Sequence, residues 1–340
     1  MTLAAWILAG GTVASLPAFA ATPLPHARVL ISQADAARIA ELLQAAPGAT
    51  FLIVRPNEAP PPNADAALGV CSDAMLRTSP KLRWVQVMAT GADACLGVPQ
   101  LRERGLTVTA MQGTATAATA DHVLAFMLMN ARGMQRYAEQ QRQRQWDRGA
   151  ESTAGLQSLD GKTLLVVGLG KIGTAVAERA HAFGMRVLAI RSAPGEGPAF
   201  VSHVGGPGEL KDLAREADYI VNALPLTDST RGLFDASFFS GVRKGAFFVN
   251  IGRGESVVTD DLVSSLRAGR LSGAGIDVVT PSPLPPDHPL WRLPGVMISP
   301  AVAGYSEDLW DRRWSIAADN LRRFVQGEPL QQVIDQRRGY

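Results

Sequence analysis

The stretch TLLVVGLGKIGTAVAERAHAFG, from Thr163 to Gly184, runs an apolar β-type segment straight into a helical pattern through Gly168, Gly170 and Gly173. Each glycine has a physical task in such a join. The first permits a tight turn, the second lets a pyrophosphate approach the backbone, and the third lets helix and strand pack closely. The helix that follows offers free N–H groups and the positive end of its dipole. Strand, glycine turn and helix in this order place Gly168, Gly170, Lys171, Ile172 and Gly173 at the phosphates of a dinucleotide.

The next strand candidate, RVLAI, ends at Ile190, and the residue after it decides which dinucleotide is preferred. A carboxylate here would accept hydrogen bonds from ribose hydroxyls and repel a 2′-phosphate. The chain has Arg191, followed by Ser192. A guanidinium attracts the phosphate, so the expected cofactor is NADP, with NAD possible.

Working outward, the alternation continues through DYIVNAL, GAFFVNIG, GAGIDVV and VMISP, which with TLLVV and RVLAI makes six strand candidates. Before it stands a similar series: ARVLI, TFLIV, ALGV, LRWVQVM and LTVTA, ending near Ala118. Strands alternating with helical periods imply parallel sheets covered on both faces. A long helix is expected from about Ala120, carrying Val123, Leu124, Phe126, Met127 and Met129 as core and becoming polar around QRQRQ. A second is expected from Ser306 to Gly327, long enough to return to the first series.

Composition sets the outer limits. With 340 residues and 46% hydrophobic, about two domains are expected. The net charge of +2 has no dense field behind it, so nucleic acid and membrane partners are not expected. The basic run Arg142 to Arg148 reads as a solvated helix face. Cys71 and Cys95 lack metal spacing and leave a single bridge open; the five histidines form no metal pair, so no metal is expected. Residues 1–21 read as a signal peptide or a disordered N-terminus: Leu3 to Leu16 is apolar and small, and Ala18-Phe19-Ala20 resembles a cleavage site. Export, periplasmic in a bacterium, is the expectation if that reading holds, and a cytoplasmic location otherwise.

On KLRWVQVMATGAD, TADHVLAFMLMNARGM, the Thr163–Gly184 stretch, NALPLTDSTRGLF, VNIGRGESV, GAGIDVV, PLPPDHPLW and NLRRFVQGEPL, the chain resembles the D-isomer-specific 2-hydroxyacid dehydrogenase family. The likeness is to its glyoxylate and hydroxypyruvate reductase branch and runs from about Ala27 to Tyr340. It implies an α/β fold of two Rossmann-like, doubly wound parallel-sheet domains linked by long helices. Residues 22–119 and 306–340 would form a flavodoxin-like substrate domain, residues 120–305 the NAD(P)-binding domain, and two copies a homodimer. The substrate would be a small carboxylate, a 2-oxo or 2-hydroxy acid.

The resemblance also implies roles. Arg253, in NIGRG, stands where the family's catalytic arginine binds the carboxylate and carbonyl of a 2-oxo acid, and Thr90-Gly91 matches the turn that receives the same carboxylate. Asp277 stands where the nicotinamide carboxamide is bound. Leu224 and Pro225 match the loop lining the cofactor, with Thr230, Ile251 and Thr119 as further contacts.

Two positions depart from the family pattern. Where it pairs a carboxylate with a proton-donating histidine, this chain has Ser282 and Ala301. General acid catalysis is worth about 10²- to 10⁴-fold, and positioning with charge stabilisation contributes as much or more. Turnover is therefore weakened and not eliminated, with water, Ser282, Ser299 or Tyr305 as replacement proton sources and His122 and His288 as structural residues. An NADP-dependent oxidoreductase is the expectation. A pseudoenzyme that binds a dinucleotide or carboxylate, and different chemistry on a permanently held nicotinamide, stay open.

Overall fold

The computed structural model describes residues 22–147, 155–193 and 195–339. The signal-peptide expectation for residues 1–21 and the Arg148 end of the basic run lie outside the described residues. The chain divides into two compact units, one of residues up to Gln86 with Arg104–Thr109 and Trp314–Val333, the other of Val87–Glu103, Ala110–Arg313 and Ile334–Tyr340.

The first unit is built on five parallel strands: β1 (Arg28–Ser32), β2 (Thr50–Val54), β3 (Ala66–Leu68), β4 (Trp84–Gln86) and β5 (Thr107–Thr109). Their order, β2-β1-β3-β4-β5, is that of a flavodoxin-like sheet. The last long helix runs Leu309–Gln326, within the expected span, and its Phe324 packs on Trp84 with ring centroids 5.2 Å apart. Three buried polar side chains lock this contact: Thr109 Oγ1 and Asn320 Nδ2 both donate to Gln86 Oε1, at 2.8 and 2.9 Å. Buried amides are tolerated when paired in this way.

The second unit carries seven parallel strands: β6 (Thr163–Val167), β7 (Arg186–Ile190), β8 (His203–Gly205), β9 (Tyr219–Asn222), β10 (Ala246–Asn250), β11 (Leu271–Ile276) and β12 (Val296–Ile298). The order β12-β11-β10-β9-β6-β7-β8 is doubly wound. Along β6, Leu164 and Val166 enter one apolar cluster with Val123, Phe126 and Met127, while Leu165 and Val167 enter another with Phe234, Phe238 and Phe248. Alternate residues of one strand thus feed two cores, which is why the strand reads as a continuous apolar run.

Three sequence expectations need correction. The helix expected from Ala120 starts at Thr116 and ends at Ala131. Gly133, in a left-handed conformation with φ 61°, separates it from a second helix, Met134–Arg142, so residues 143–147 of the basic run are exposed chain and not a helix face. The seventh strand, β8, was not expected, because three residues beginning at an exposed histidine give no apolar run. Neither cysteine is free; both are disulfide-bonded. Among the described residues, no helix is long and apolar enough to cross a membrane, and no group of His, Cys, Asp or Glu is arranged to hold a metal ion.

Candidate active site

In an open parallel sheet the ligand crevice lies outside the carboxyl ends of the strands, where the strand order reverses. In the seven-stranded sheet that reversal falls between β6 and β9. Gly168 follows β6, Arg191 follows β7, Leu224 follows the end of β9, Ile251 follows β10, Asp277 follows β11 and Ser299 follows β12. One sheet edge therefore gathers most of the residues that the sequence singled out.

The glycine turn fits a phosphate by two measures. Gly168 has φ +106°, and a Cβ there would lie 2.8 Å from the carbonyl oxygen of Ala223, so only glycine lets the end of β6 pass β9. A Cβ on Gly170 would meet nothing within 4 Å, and no side chain caps the helix Lys171–Ala182 that starts there. Free amide donors thus open onto unfilled space. Lys171 is exposed, with Cδ and Nζ each 3.6 Å from where a Cβ on Gly113 would stand; Ile172 packs on the core and Gly173 is buried.

Arg191 is held by its own loop: Nε donates to the carbonyl of Ala193 at 2.5 Å and Nη2 to that of Glu196 at 3.3 Å. Both hydrogens of Nη1 and one of Nη2 remain for an anion. Ser192 beside it is exposed.

Two threonines expected to contact a cofactor are tied into the backbone. Thr230 Oγ1 donates to Pro225 O at 2.7 Å and accepts from the Thr227 amide at 2.8 Å, closing the loop that carries Leu224 and Pro225. Thr119 Oγ1 donates to Ala115 O at 2.7 Å, and both residues are buried. Ile251 is also buried.

The main grouping centres on Arg253. Its Nε and Nη2 donate to Asp93 Oδ1 at 3.0 and 2.8 Å, and Nη1 donates to Gly252 O at 2.8 Å. Of the five guanidinium hydrogens three are committed, leaving one on each terminal nitrogen, the pair that grips a carboxylate end-on. Burial raises the Asp93 carboxyl, but hydrogen bonds and charge from Arg253 outweigh it and hold the group below its ordinary value. Gly91 lies under the same guanidinium: a Cβ there would be 1.7 Å from Nη2. Among the described residues no acceptor takes the amides of Thr90 or Gly91. Beneath Arg253, Asn222 Nδ2 donates to Asn250 Oδ1 and Ser256 Oγ, while Asn250 Nδ2 and Ser256 Oγ both donate to the carbonyl of Arg253.

Asp277, 7% exposed, faces the turn that follows β12. Its Oδ1 accepts from Ser299 Oγ at 2.7 Å and from the amide of Val302 at 2.9 Å, and both its oxygens accept from the amide of Ala303 at 3.1 Å. His122 Nε2 stands 2.8 Å from Ser299 Oγ, so with the serine proton on Asp277 the imidazole is the donor. The three side chains form one chain, His122 to Ser299 to Asp277. Ala301 is exposed on this turn with φ +57°, and Ser282 and Tyr305 are exposed too.

Sequence reasoning missed Asp93, Asn222, Asn250, Ser256 and the coupling of His122 to Ser299. The asparagines carried a usable signal, since each ends an apolar strand and a buried amide requires a partner.

The sequence of residues 124–303 matches the family model described as D-isomer specific 2-hydroxyacid dehydrogenase, NAD binding domain. The chain is 32% identical over 282 residues to a glyoxylate reductase of Korarchaeum cryptofilum, covering 81% of this chain and 83% of that protein. It is 31% identical over 252 residues to a glyoxylate reductase/hydroxypyruvate reductase of Mus musculus, covering 73% and 76%. Among solved structures, a D-isomer specific 2-hydroxyacid dehydrogenase from Xanthobacter autotrophicus Py2, in complex with NADPH and MES, superposes with TM-score 0.80 at 27% identity, covering 93% of this chain and 99% of that one.

Proposed function

Because the chain belongs to the D-isomer-specific 2-hydroxyacid dehydrogenase family, we propose that it is an NADP-dependent oxidoreductase acting on a small 2-oxo or 2-hydroxy acid with an altered proton relay. The observation that carries this reading is Arg253, held by Asp93 and Gly252 with one donor left on each terminal nitrogen. In this reading residues 120–305 serve the nucleotide, and residues 22–119 with 306–340 serve the substrate.

The glycine turn, the uncapped helix start and Arg191 would hold the dinucleotide, and a reduced nicotinamide would supply the hydride. The bound NADPH of the Xanthobacter relative supports the choice of cofactor. Arg253 grips the substrate carboxylate and polarises its carbonyl, helped by the free amides of Thr90 and Gly91. Asp93 and the Asn222–Asn250–Ser256 network keep the guanidinium in place before substrate arrives, so little ordering is needed at the moment of reaction. Leu224 and Pro225 would line the cofactor, and Asp277, whose Oδ2 accepts one hydrogen bond from the Ala303 amide, would receive its carboxamide.

With no histidine at residue 301, the proton for the developing alkoxide comes from solvent or a hydroxyl. Ser299 is the best supplied hydroxyl: its proton, held on Asp277 Oδ1 at 2.7 Å, must turn away from that carboxylate to be given up, and His122 Nε2 at 2.8 Å can replace it. The same departure at residues 282 and 301 favours a second reading, a pseudoenzyme that binds dinucleotide or carboxylate without turnover. By family analogy the protein is a homodimer. Export directed by residues 1–21 is the location this reading carries with it.

The test is to mix the purified chain with NADPH and glyoxylate, hydroxypyruvate and bulkier 2-oxo acids, following loss of reduced-nicotinamide absorbance. Turnover of any acid supports the oxidoreductase; tight NADPH binding without turnover selects the pseudoenzyme.

A further inference from the structure

Next to the Arg253–Asp93 pair, the second unit has a half-open cavity of about 210 Å³ lined by Asp93, Arg102, Asp228, Arg231, Arg337 and Arg338. Four guanidinium groups around so small a space repel one another unless negative charge offsets them. Of the two carboxylates on the lining, Asp228 alone is left to face the four arginines. Asp93 is committed to Arg253, and Arg338 has Asp335 at 3.5 Å. Among the described residues, Arg102, Arg231 and Arg337 form no ion pair.

The local backbone holds these arginines in position. Arg231 directly follows Thr230, whose buried hydroxyl closes its loop. Asp335 builds the turn that presents the other pair, accepting from the amides of Arg337 at 2.9 Å and Arg338 at 3.3 Å, while Gly339 N donates to the Asp335 carbonyl at 2.8 Å. Gly339 has φ +83°, and a Cβ on it would lie 3.5 Å from Thr227 Cγ2, so the C-terminal turn rests on the loop that carries Arg231. Two rigid turns thus aim unpaired cations into one concave space.

We propose that this cavity is an oxyanion-binding site, taking a carboxylate or phosphate group. Planar guanidinium donors match the oxygens of either. The volume is below the roughly 300–1,000 Å³ of whole-ligand pockets, which suits the charged end of a molecule and not a nucleotide. One source of the oxyanion rests on the function proposed above: the far end of a dianionic 2-oxo acid whose near carboxylate is held by Arg253. Free inorganic phosphate is the other.

The test uses the full chain and the double variant Arg231→Gln with Arg337→Gln, both exposed positions, with thermal unfolding to confirm that the variant folds. Calorimetric titration with inorganic phosphate at constant ionic strength is expected to show binding that weakens at least tenfold in the variant. Absence of binding to the wild type, or equal affinity in the two proteins, overturns the site. In the turnover arm, 2-oxoglutarate is compared with 2-oxopentanoate, which has the same carbon count without the second carboxylate. A kcat/KM ratio that falls at least tenfold in the variant assigns the site to the substrate's far end, and an unmoved ratio overturns that assignment and leaves free phosphate as the ligand. Phosphate binding needs no catalysis, so a chain that turns over nothing yet binds phosphate through these arginines would sink the oxidoreductase reading while sustaining the site.

Discussion

The guanidinium of Arg253 occupies the space that any side chain at residue 91 would require, since a Cβ there would stand 1.7 Å from Nη2. The glycine of the Thr90-Gly91 turn and the arginine of NIGRG are therefore one device, joined across 162 residues of sequence.

Replacing Gly91 by Ala drives the guanidinium off its seat without disturbing either core. Misplacing a positioning group by about 1 Å costs about 10²-fold in rate. A kcat/KM for 2-oxo acid reduction lower by about that factor, with an unchanged unfolding midpoint, is the expected outcome. Equal kinetics in the two proteins would mean that Arg253 works from another position.

Arg191 keeps three N–H groups free after serving the carbonyls of Ala193 and Glu196. Hydrogen bonds to charged groups contribute about 1.5–3 kcal/mol, so Arg191→Asp should weaken NADPH binding about 10- to 100-fold, with NADH much less affected. Fluorescence titration with the two nucleotides measures the ratio. An unchanged NADPH affinity would make Arg191 a loop brace only.

Burial, reinforced by the charge of Asp218, pushes the Tyr219 phenol up to about 12. In the unfolded chain it ionises near pH 10. Between those values the unfolded state binds fewer protons, so stability falls as pH rises, by about 1.4 kcal/mol per unit. Denaturant unfolding at pH 9 and 11.5 should show that loss in the wild type and much less of it in Tyr219→Phe. The same loss in both would place its source elsewhere.

Ala301 sits at φ +57°, a left-handed conformation that histidine accepts better than most side chains. Ala301→His combined with Ser282→Glu should therefore fold and restore a general acid, raising the turnover rate by about 10²-fold or more. An unchanged rate would show that the pocket no longer brings residue 301 to the substrate.

What the sequence made legible follows from range. The join at Gly168 and the strands other than β8 rest on local periodicity and glycine spacing, while Arg253 and Asp277 were reached through the family resemblance of the short stretches that hold them. Asp93 pairs with a residue 160 positions away, and His122 with one 177 away, so no window of sequence displays either contact. β8 escaped because its residues neither alternate nor form an apolar run. Asn222 and Asn250 were readable in principle, as polar residues closing apolar strands, but their pairing beneath Arg253 joins two strands that no single window contains.

The central claim is that Arg253 grips the carboxylate of the substrate, and it is tested most directly by removing that carboxylate's charge. The measurement is kcat/KM with NADPH for pyruvate and for methyl pyruvate, in the wild type and in Arg253→Gln. The account predicts that the wild type prefers the acid by about 10²-fold or more, and that the preference collapses in the variant because the acid alone slows. A preference that survives the loss of Arg253, or a wild type that reduces the ester as well as the acid, would contradict it.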